Sequence, residues 1–236
     1  MKIYYDFHLH SCLSPCGDND MTPNNIAGMA HLNGLNAIAL TDHNCTLNCA
    51  PLKKAAEKYG ITVLYGMELT TDEEVHMVCL FADEKSAKKW EEYVAERLMK
   101  IKNDPAIFGN QYIMDEQDNI IGEKEHLLIN ATAISFEDVF GLVEALGGVA
   151  YPAHVDKNAN SLLSNLGFVP PDSTFKLAEL HDKGRFDDIA TAHPYFKRCK
   201  ILSSSDAHYL EDINEAQNFI EAENNTPEAI IKALKN

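Results

Sequence analysis

Short strand-like segments alternate with helical segments along most of this 236-residue chain. Helical spacing of apolar residues follows the first strand-like segment, and Thr22-Pro23 supplies the expected start of that helix. Alternation of this kind predicts an α/β fold with a largely parallel sheet. The candidate strands are residues 3–9, 35–40, 61–65, 75–81, 147–154, 175–180 and 199–203. This number of strands favours a barrel over an open sheet.

Residues 84–134 interrupt the alternation. Apolar residues from Trp90 to Ile101 have helical spacing, whereas the stretch that follows, as far as Asn130, is polar and weakly patterned. The segment carries too few apolar residues to form a core of its own. We therefore predict one domain over residues 1–236, with 84–134 as an insertion or lid.

Histidine and acidic side chains gather at the C-terminal ends of the candidate strands, where α/β proteins place their active sites. A single histidine at a strand end is more often a structural hydrogen-bonding residue than a metal ligand, but so many on one rim favour a metal cluster. Imidazole and carboxylate ligands without thiolates suit zinc, manganese or iron. The residues concerned are His8, His10, Asp42, His43, Glu68, His76, His154, Asp206 and His208.

The charge balance limits the expected partners. Lys and Arg number 20 and Asp and Glu number 36, which gives a net charge of −16. Such a surface repels nucleic acid backbones and anionic lipids, so we expect neither long nucleic acids nor membranes as partners. With no apolar run long enough to span a membrane and no signal-type region after Met1, we expect a cytoplasmic protein. The oligomeric state is left open by the sequence.

Six cysteines in such a chain are expected to be reduced thiols. Two pairs, Cys12 with Cys16 and Cys45 with Cys49, follow adjacent strands and offer an alternative four-cysteine zinc site. Structural zinc sites use more closely spaced pairs on knuckle-like turns. Loop or buried thiols near the main site are therefore the preferred interpretation.

Five short motifs carry the candidate ligands in a fixed order. They are His-x-His at His8, Thr-Asp-His at His43, Glu68 with His76 downstream, Pro-x-His at His154, and Ser-Asp-x-His at His208. This order resembles the polymerase and histidinol phosphatase (PHP) superfamily, and the resemblance covers most of the chain. It implies a distorted (β/α)7 TIM-like barrel of PHP type with a trinuclear metal site.

The resemblance also implies ligands for three ions. Family members usually supply one further ligand shortly after the first motif, often a histidine, and this chain has no histidine there before His31. Asp18 is the nearest replacement, with Cys16 and Asp20 as alternatives. The implied sets are His8, His10, Glu68 and Asp206 for the first ion, Glu68, His76 and His154 for the second, and His43 and His208 with Asp18 for the third.

Together these features predict a hydrolase with two or three divalent ions that cleaves a small phosphomonoester by attack of a metal-bridging hydroxide. Glu68 is the expected bridging residue, and Asp42 or His181 the expected acid for the leaving group. Lys157 and Arg185 are the nearby cations that could meet a phosphate. The alternatives are a nucleotide or oligonucleotide 3′-end phosphodiesterase of the same superfamily and a metal-binding regulatory module without turnover.

Overall fold

A curled sheet surrounded by helices forms the framework of the computed structural model, which describes residues 1–236. The strands are β1 (Lys2–Leu9), β2 (Ala37–Leu40), β3 (Thr62–Thr70), β4 (His76–Phe81), β5 (Tyr112–Met114), β6 (Ile120–Glu123), β7 (Val149–Pro152), β8 (Leu177–Glu179), β9 (Lys200–Leu202) and β10 (Phe219–Glu221). The α-helices are α1 (Pro23–Leu32), α2 (Cys49–Ala56), α3 (Glu84–Ala95), α4 (Pro105–Phe108), α5 (Phe136–Ala145), α6 (Leu162–Asn165), α7 (Phe186–Ala192) and α8 (Pro227–Lys235). None of these helices is long and apolar enough to cross a membrane.

Six strands form the main sheet in the order β10-β1-β2-β3-β4-β7, and β8 pairs with β9 beside it. Single backbone hydrogen bonds join the two parts. The amide of Val155, just after β7, donates to the carbonyl of Glu179 at 2.8 Å, and His10, just after β1, donates to Ala207 at 3.0 Å. The predicted α/β barrel-like architecture of PHP type is confirmed, but these ladders do not form a regular barrel of seven βα units.

The expected parallel sheet is only partly present. The pairs β1–β2, β2–β3 and β8–β9 are parallel, whereas β3–β4, β4–β7 and β1–β10 are antiparallel. The reason for the first antiparallel pair lies in the connection: β3 ends at Thr70 and β4 begins at His76. A parallel pair needs a crossover of about a dozen residues or more, so this short link allows only a hairpin.

Side chains from every barrel strand fill its interior. Tyr5 and Phe7 of β1 stack there with ring centroids 4.3 Å apart, and Tyr151 of β7 lies in the same buried cluster. Helix α8 adds Ile230 and Ile231 to this cluster. A second and larger cluster packs the outer face of the sheet against the helices. The two clusters bury both faces of the sheet.

The segment 84–134 forms α3, α4 and the β5–β6 hairpin. Trp90 of α3 is buried in the outer core cluster. The hairpin is tied to the loops after β1 and β2, because Tyr112 donates to the carbonyl of Cys12 at 2.9 Å and Asn48 Nδ2 donates to the carbonyl of Tyr112 at 3.1 Å. This segment therefore packs against the loops that carry the first two motifs.

Candidate metal centre

An irregularity in β1 directs two histidines into the barrel. Tyr5 and Phe7 belong to the interior cluster, whereas Leu9 packs in the outer cluster. The register between β1 and β2 shifts within this segment, as it does at a β-bulge, so the usual alternation of faces is broken. His8 and His10 consequently enter the same buried space, with ring centroids 5.3 Å apart.

The carboxylate of Glu68 lies at the centre of a histidine cluster. Strand β3 extends to Thr70, so Glu68 lies inside the strand and not beyond its end, and its side chain is only 1% exposed. Its two oxygens lie close to ring nitrogens of five imidazoles: His76 at 2.9 Å, His43 and His154 at 3.1 Å, His8 at 3.2 Å and His10 at 3.3 Å. No other side chain contacts so many of the predicted ligands.

Asp206 approaches the cluster from the opposite side of the barrel. Its Oδ1 lies 3.1 Å from His10 Nε2 and 3.3 Å from His8 Nε2. Both Asp206 and His154 have positive φ angles, 54° and 25° respectively. Residues other than glycine rarely adopt such conformations, and they are held there only where the surroundings enforce them.

Three groups of side chains bring their ligand atoms within 4.8 Å of one another. The first group has the membership that the resemblance implies. In the second group His43 takes the place expected for His154, and in the third group His10 takes the place expected for Asp18. His154 contacts the cluster through Glu68. The groups are His8, His10, Glu68 and Asp206, then His43, Glu68 and His76, and finally His10, His43 and His208.

The chemistry of these donors fits divalent metal ions. Three buried ring nitrogens, His8 Nε2, His43 Nδ1 and His154 Nδ1, have no hydrogen-bond partner. The first two lie within 3.2 Å of Glu68 oxygens, but without hydrogen-bond geometry. A buried polar atom without a partner is costly, and a metal ion that accepts the lone pair removes that cost.

The surroundings raise the pKa of His10 and lower the pKa of His43 and His208. Burial favours the neutral ring, yet hydrogen bonds with Asp206 and Glu68 raise the pKa of His10 to about 9. Burial and the nearby charge of His10 lower the pKa of His208 to about 4, and burial also lowers the pKa of His43. Against the effect of burial, the imidazoles hold the pKa of Glu68 well below its ordinary range. A deprotonated carboxylate and neutral imidazoles are the forms that bind metals.

Asp42 forms hydrogen bonds with the two serines that follow the first motif. Its buried carboxylate accepts hydrogen bonds from the amide and hydroxyl of Ser11 at 2.7 and 2.6 Å and from Ser14 Oγ at 2.7 Å. Ser14 Oγ also lies 3.0 Å from His10 Nδ1. The structure therefore places Asp42 behind His10, a candidate metal ligand, with both oxygens engaged, and not at the open side as expected of a leaving-group acid. Ser14 was not recognised in the sequence.

The expected third-metal ligand is not brought into the cluster. The carboxylate of Asp18 accepts a hydrogen bond from the amide of Asp20 at 2.8 Å and belongs to none of the three groups. This local turn occupies the side chain. The alternative Cys16 is exposed and likewise belongs to none of the three groups.

The four-cysteine zinc site is not formed. None of the metal-competent groups contains a thiol. Cys12 contacts the carbonyl of Tyr112, Cys45 contacts Glu91, and Cys49 contacts the carbonyl oxygens of its neighbouring strands. The pairs therefore have separate surroundings.

The remaining predicted residues lie at or near one opening, which we call the polar cleft. It encloses about 540 Å³, and its walls contain no hydrophobic residue. Lys157, whose ammonium pairs with Asp206, and His181 line it. Arg185 does not line it and donates a hydrogen bond to the carbonyl of Asp156.

Glu179, the last residue of β8, is a buried acid beside the cluster that belongs to none of the five motifs. It is 1% exposed, and its Oε1 lies 2.8 Å from His8 Nδ1. Strand alternation in β8 indicates that Glu179 points inward, because Leu177 faces the barrel interior and Glu179, two residues later, faces the same way. His181, the other expected acid for the leaving group, is exposed.

Known proteins with similar sequences include two ribonucleases. The 5′-3′ exoribonuclease Rnm of Escherichia coli is 25% identical over 238 residues, which cover 91% of this chain and 74% of that protein. A 5′-3′ exoribonuclease of Haemophilus influenzae is 32% identical over 91 residues, which are 37% of this chain and 32% of that protein. The chain thus spans about a third of the Haemophilus relative.

Solved structures with the same fold include two proteins of low sequence identity. The lesion-specific endonuclease EndoQ from Pyrococcus furiosus superposes with a TM-score of 0.70 at 21% identity, over all of this chain and 56% of that one. An amidohydrolase from Chromobacterium violaceum with bound sulfate superposes with a TM-score of 0.61 at 20% identity, over 98% of this chain and 96% of that one. At these identities the likeness concerns the fold.

The PHP domain family matches residues 6–169, which are more than half of the chain. The matched range contains the first four motifs, from His8 to His154. Asp206 and His208 lie beyond it, and the fold returns them to the same cluster. This chain belongs to the PHP domain family.

Proposed function

We propose that this protein is a metal-dependent phosphoesterase that hydrolyses a small phosphate ester. The observation that carries the proposal is the convergence of the three overlapping ligand groups around Glu68. Membership in the PHP domain family supports it, as do relatives named as nucleases. We propose zinc, manganese or iron as the bound ions, two or three in number, because the donors are imidazoles and carboxylates.

The residues have different tasks in this proposal. Ions held by the three groups would supply an activated water and positive charge opposite the non-bridging phosphate oxygens. Glu68 is shared between two groups and so fixes their separation. Asp206 completes the first group and holds the ammonium of Lys157 at the edge of the site.

We place the substrate in the polar cleft. Asp206 forms part of its wall, so a group bound there lies beside the first ligand group. Lys157 and Lys183 add positive charge to the wall of a protein whose net charge is −16. We assign the phosphate contact to Lys157 and the protonation of the leaving oxygen to His181, which lines the same cleft. Arg185 and Asp42 are engaged elsewhere.

A short nucleotide substrate is the second candidate. The alignment with the exoribonuclease Rnm covers 91% of this chain, which favours phosphodiester cleavage near the end of a short oligonucleotide. Tyr209, which follows His208 directly, is 50% exposed, and an exposed ring can stack on a base. The strongly acidic surface disfavours a long polyanion in either case.

The test uses the full-length protein reconstituted separately with zinc, manganese and iron(II). Sugar phosphates, ribonucleoside monophosphates, a 5′-phosphorylated dinucleotide and a longer oligoribonucleotide are compared by product release. Fastest turnover of the small monoesters supports the first candidate, and fastest turnover of the dinucleotide supports the second. Metal binding without turnover of any ester contradicts both and favours the regulatory module.

Two variants separate the site from a contaminating phosphatase. Asp206→Ala removes a ligand of the first group and is expected to abolish turnover. Asp188→Ala removes an exposed acid from α7 and is expected to keep it, because this residue lies outside the cluster. Equal turnover by the two variants would show that the activity does not arise at the proposed centre.

A further inference from the structure

We propose that Glu179 is a positioning residue that sets the ring orientation and tautomer of His8 and also anchors the backbone of His154. The inference rests on the metal-binding part of the proposed function and is independent of the substrate. No motif of the sequence contains Glu179, and it belongs to none of the groups that could hold a metal.

The location of Glu179 first requires an explanation. The side chain is buried at the end of β8, where Asp206 and Glu68 lie within interaction range of the same His8 ring. A buried carboxylate is costly unless it is paired and hydrogen-bonded. Its Oε2 has no partner. The arrangement is therefore not optimised for stability, and the contacts of Oε1 account for it.

Both contacts of Oε1 lead to metal ligands. His8 Nδ1 donates to it at 2.8 Å, and the backbone amide of His154 donates to it at 3.2 Å. With the proton on Nδ1, the lone pair of the His8 ring lies on Nε2. That atom lies 3.2 Å from Glu68 and 3.3 Å from Asp206, and so faces the other ligands of the first group.

The contact with His154 stabilises an unusual backbone conformation. His154 has a φ of 25°, a conformation that the chain does not adopt without support. Two hydrogen bonds with Glu179 hold this turn: its carboxylate accepts from the amide of His154, and its carbonyl accepts from the amide of Val155 at 2.8 Å. One residue of β8 thereby aligns a ring from β1 and a loop after β7.

Three variants distinguish positioning from charge. Glu179→Gln keeps an acceptor at the same distance without the charge, Glu179→Asp keeps the charge but is one methylene shorter, and Glu179→Ala removes both. Loss of a hydrogen-bond partner behind a metal ligand typically weakens metal binding about 10- to 100-fold. We expect this loss for Ala and Asp, and a much smaller one for Gln.

The readouts are the dissociation constant for Zn²⁺ in competition with a chelator and the NMR signal of the His8 Nδ1 proton in the zinc-loaded protein. We expect the proton signal in the native protein and in Glu179→Gln, and its loss in Glu179→Asp. Asp156→Asn is the matched control, because this buried acid accepts only from the amides of His181 and Asp182, at 2.7 and 2.9 Å. Its zinc affinity should equal that of the native protein.

Two results would overturn the proposal: equal zinc affinity in all Glu179 variants, or a Gln variant that binds zinc as weakly as the Asp variant. Because the order of Gln and Asp decides the matter, it survives an Ala variant that fails to fold. Failure to hydrolyse any phosphate ester would remove the proposed function and leave these measurements valid.

Discussion

The two sides of the candidate metal centre are built in different ways. On one side β1 to β4 form a continuous ladder, and His8, Glu68 and His76 project from or directly border its strands. On the other side β7, β8 and β9 have only four, three and three residues, and His154 and Asp206 follow them in loops with positive φ. Paired strands, with one irregularity in β1, hold the backbone of the first set of ligands, whereas side-chain hydrogen bonds hold the loops of the second.

The second side depends on buried acids as supports. The amide of Ser205, next to Asp206, donates to Asp6 Oδ1 at 3.0 Å, and Asn214 donates to Asp6 Oδ2 at 3.2 Å. Glu179 gives comparable support to His154. Each unusual φ angle costs about 1–3 kcal/mol. The difference shows that candidate ligands outside regular strands depend on additional buried acids and their hydrogen bonds within the barrel.

Replacing Glu68 should produce the largest effect, because this residue joins the two sides. Glu68→Gln keeps the shape but removes the charge that His8, His43 and His154 share. We expect metal content to fall and kcat to drop at least about 1,000-fold, or ~4 kcal/mol. Metal analysis and steady-state kinetics measure this. The control is Glu57→Gln, which replaces an exposed acid. Similar kinetics for the two variants would contradict a central role of Glu68.

Removal of the metals should distinguish the sides. With free metal at 100 times Kd, each bound ion adds about 2.7 kcal/mol to the free energy of unfolding, which a chelator removes. We expect amide hydrogen exchange to increase around His154 and residues 204–208 and to change little in β3. A uniform increase across the sheet would contradict the division into a regular and a supported side.

A substitution in the regular side should reduce stability without involving a ligand. A Cβ at Gly66 would lie 2.5 Å from the carbonyl oxygen of Leu40 and 2.6 Å from Thr41 Cγ2. Gly66→Ala should therefore lower the free energy of unfolding by about 1–3 kcal/mol in urea denaturation. Gly141→Ala in α5, where a Cβ meets no atom within 4 Å, should instead raise it by about 0.5–1 kcal/mol. Equal changes in the free energy of unfolding for the two variants would show that β2 and β3 can move apart without cost.

The smallest effect is expected for Ser14. Ser14→Ala removes the contact between Oγ and His10 Nδ1, and we expect zinc binding to weaken about tenfold. Ser11→Ala removes a hydrogen bond with the same Asp42 carboxylate, but Ser11 contacts no ligand ring, so the zinc affinity should be unchanged. Equal zinc affinities of the two serine variants would mean that His10 is oriented without Ser14.

The sequence was informative wherever a local pattern determines the structure. Strand-like runs ending in His, Asp and Glu correctly indicated the α/β fold and the PHP family. Glu68 illustrates the limit, since its strand continues to Thr70 as half of a hairpin, and pairing with β4 is a long-range property. The same applies to Asp18, whose proximity in sequence suggested a ligand while its carboxylate forms a turn with Asp20.

Residues that support ligands were the least visible. Glu179 and Ser14 are separated from the rings they contact by 171 and 4 residues, and neither belongs to a motif. Strand alternation indicates that Glu179 faces inward, but not which ring it meets. That depends on how closure of the barrel brings β8 and β1 together, which no local pattern encodes.

The first ligand group combines His8 and His10, at the beginning of the chain, with Asp206, near its end. During synthesis, amino-terminal segments emerge and fold first. The β1–β4 ladder is complete by Phe81, whereas Asp206 emerges only after most of the chain has been made. The four side chains of this group can therefore come together only after β9 has been made, so a metal ion held by all four would mark a nearly completed fold.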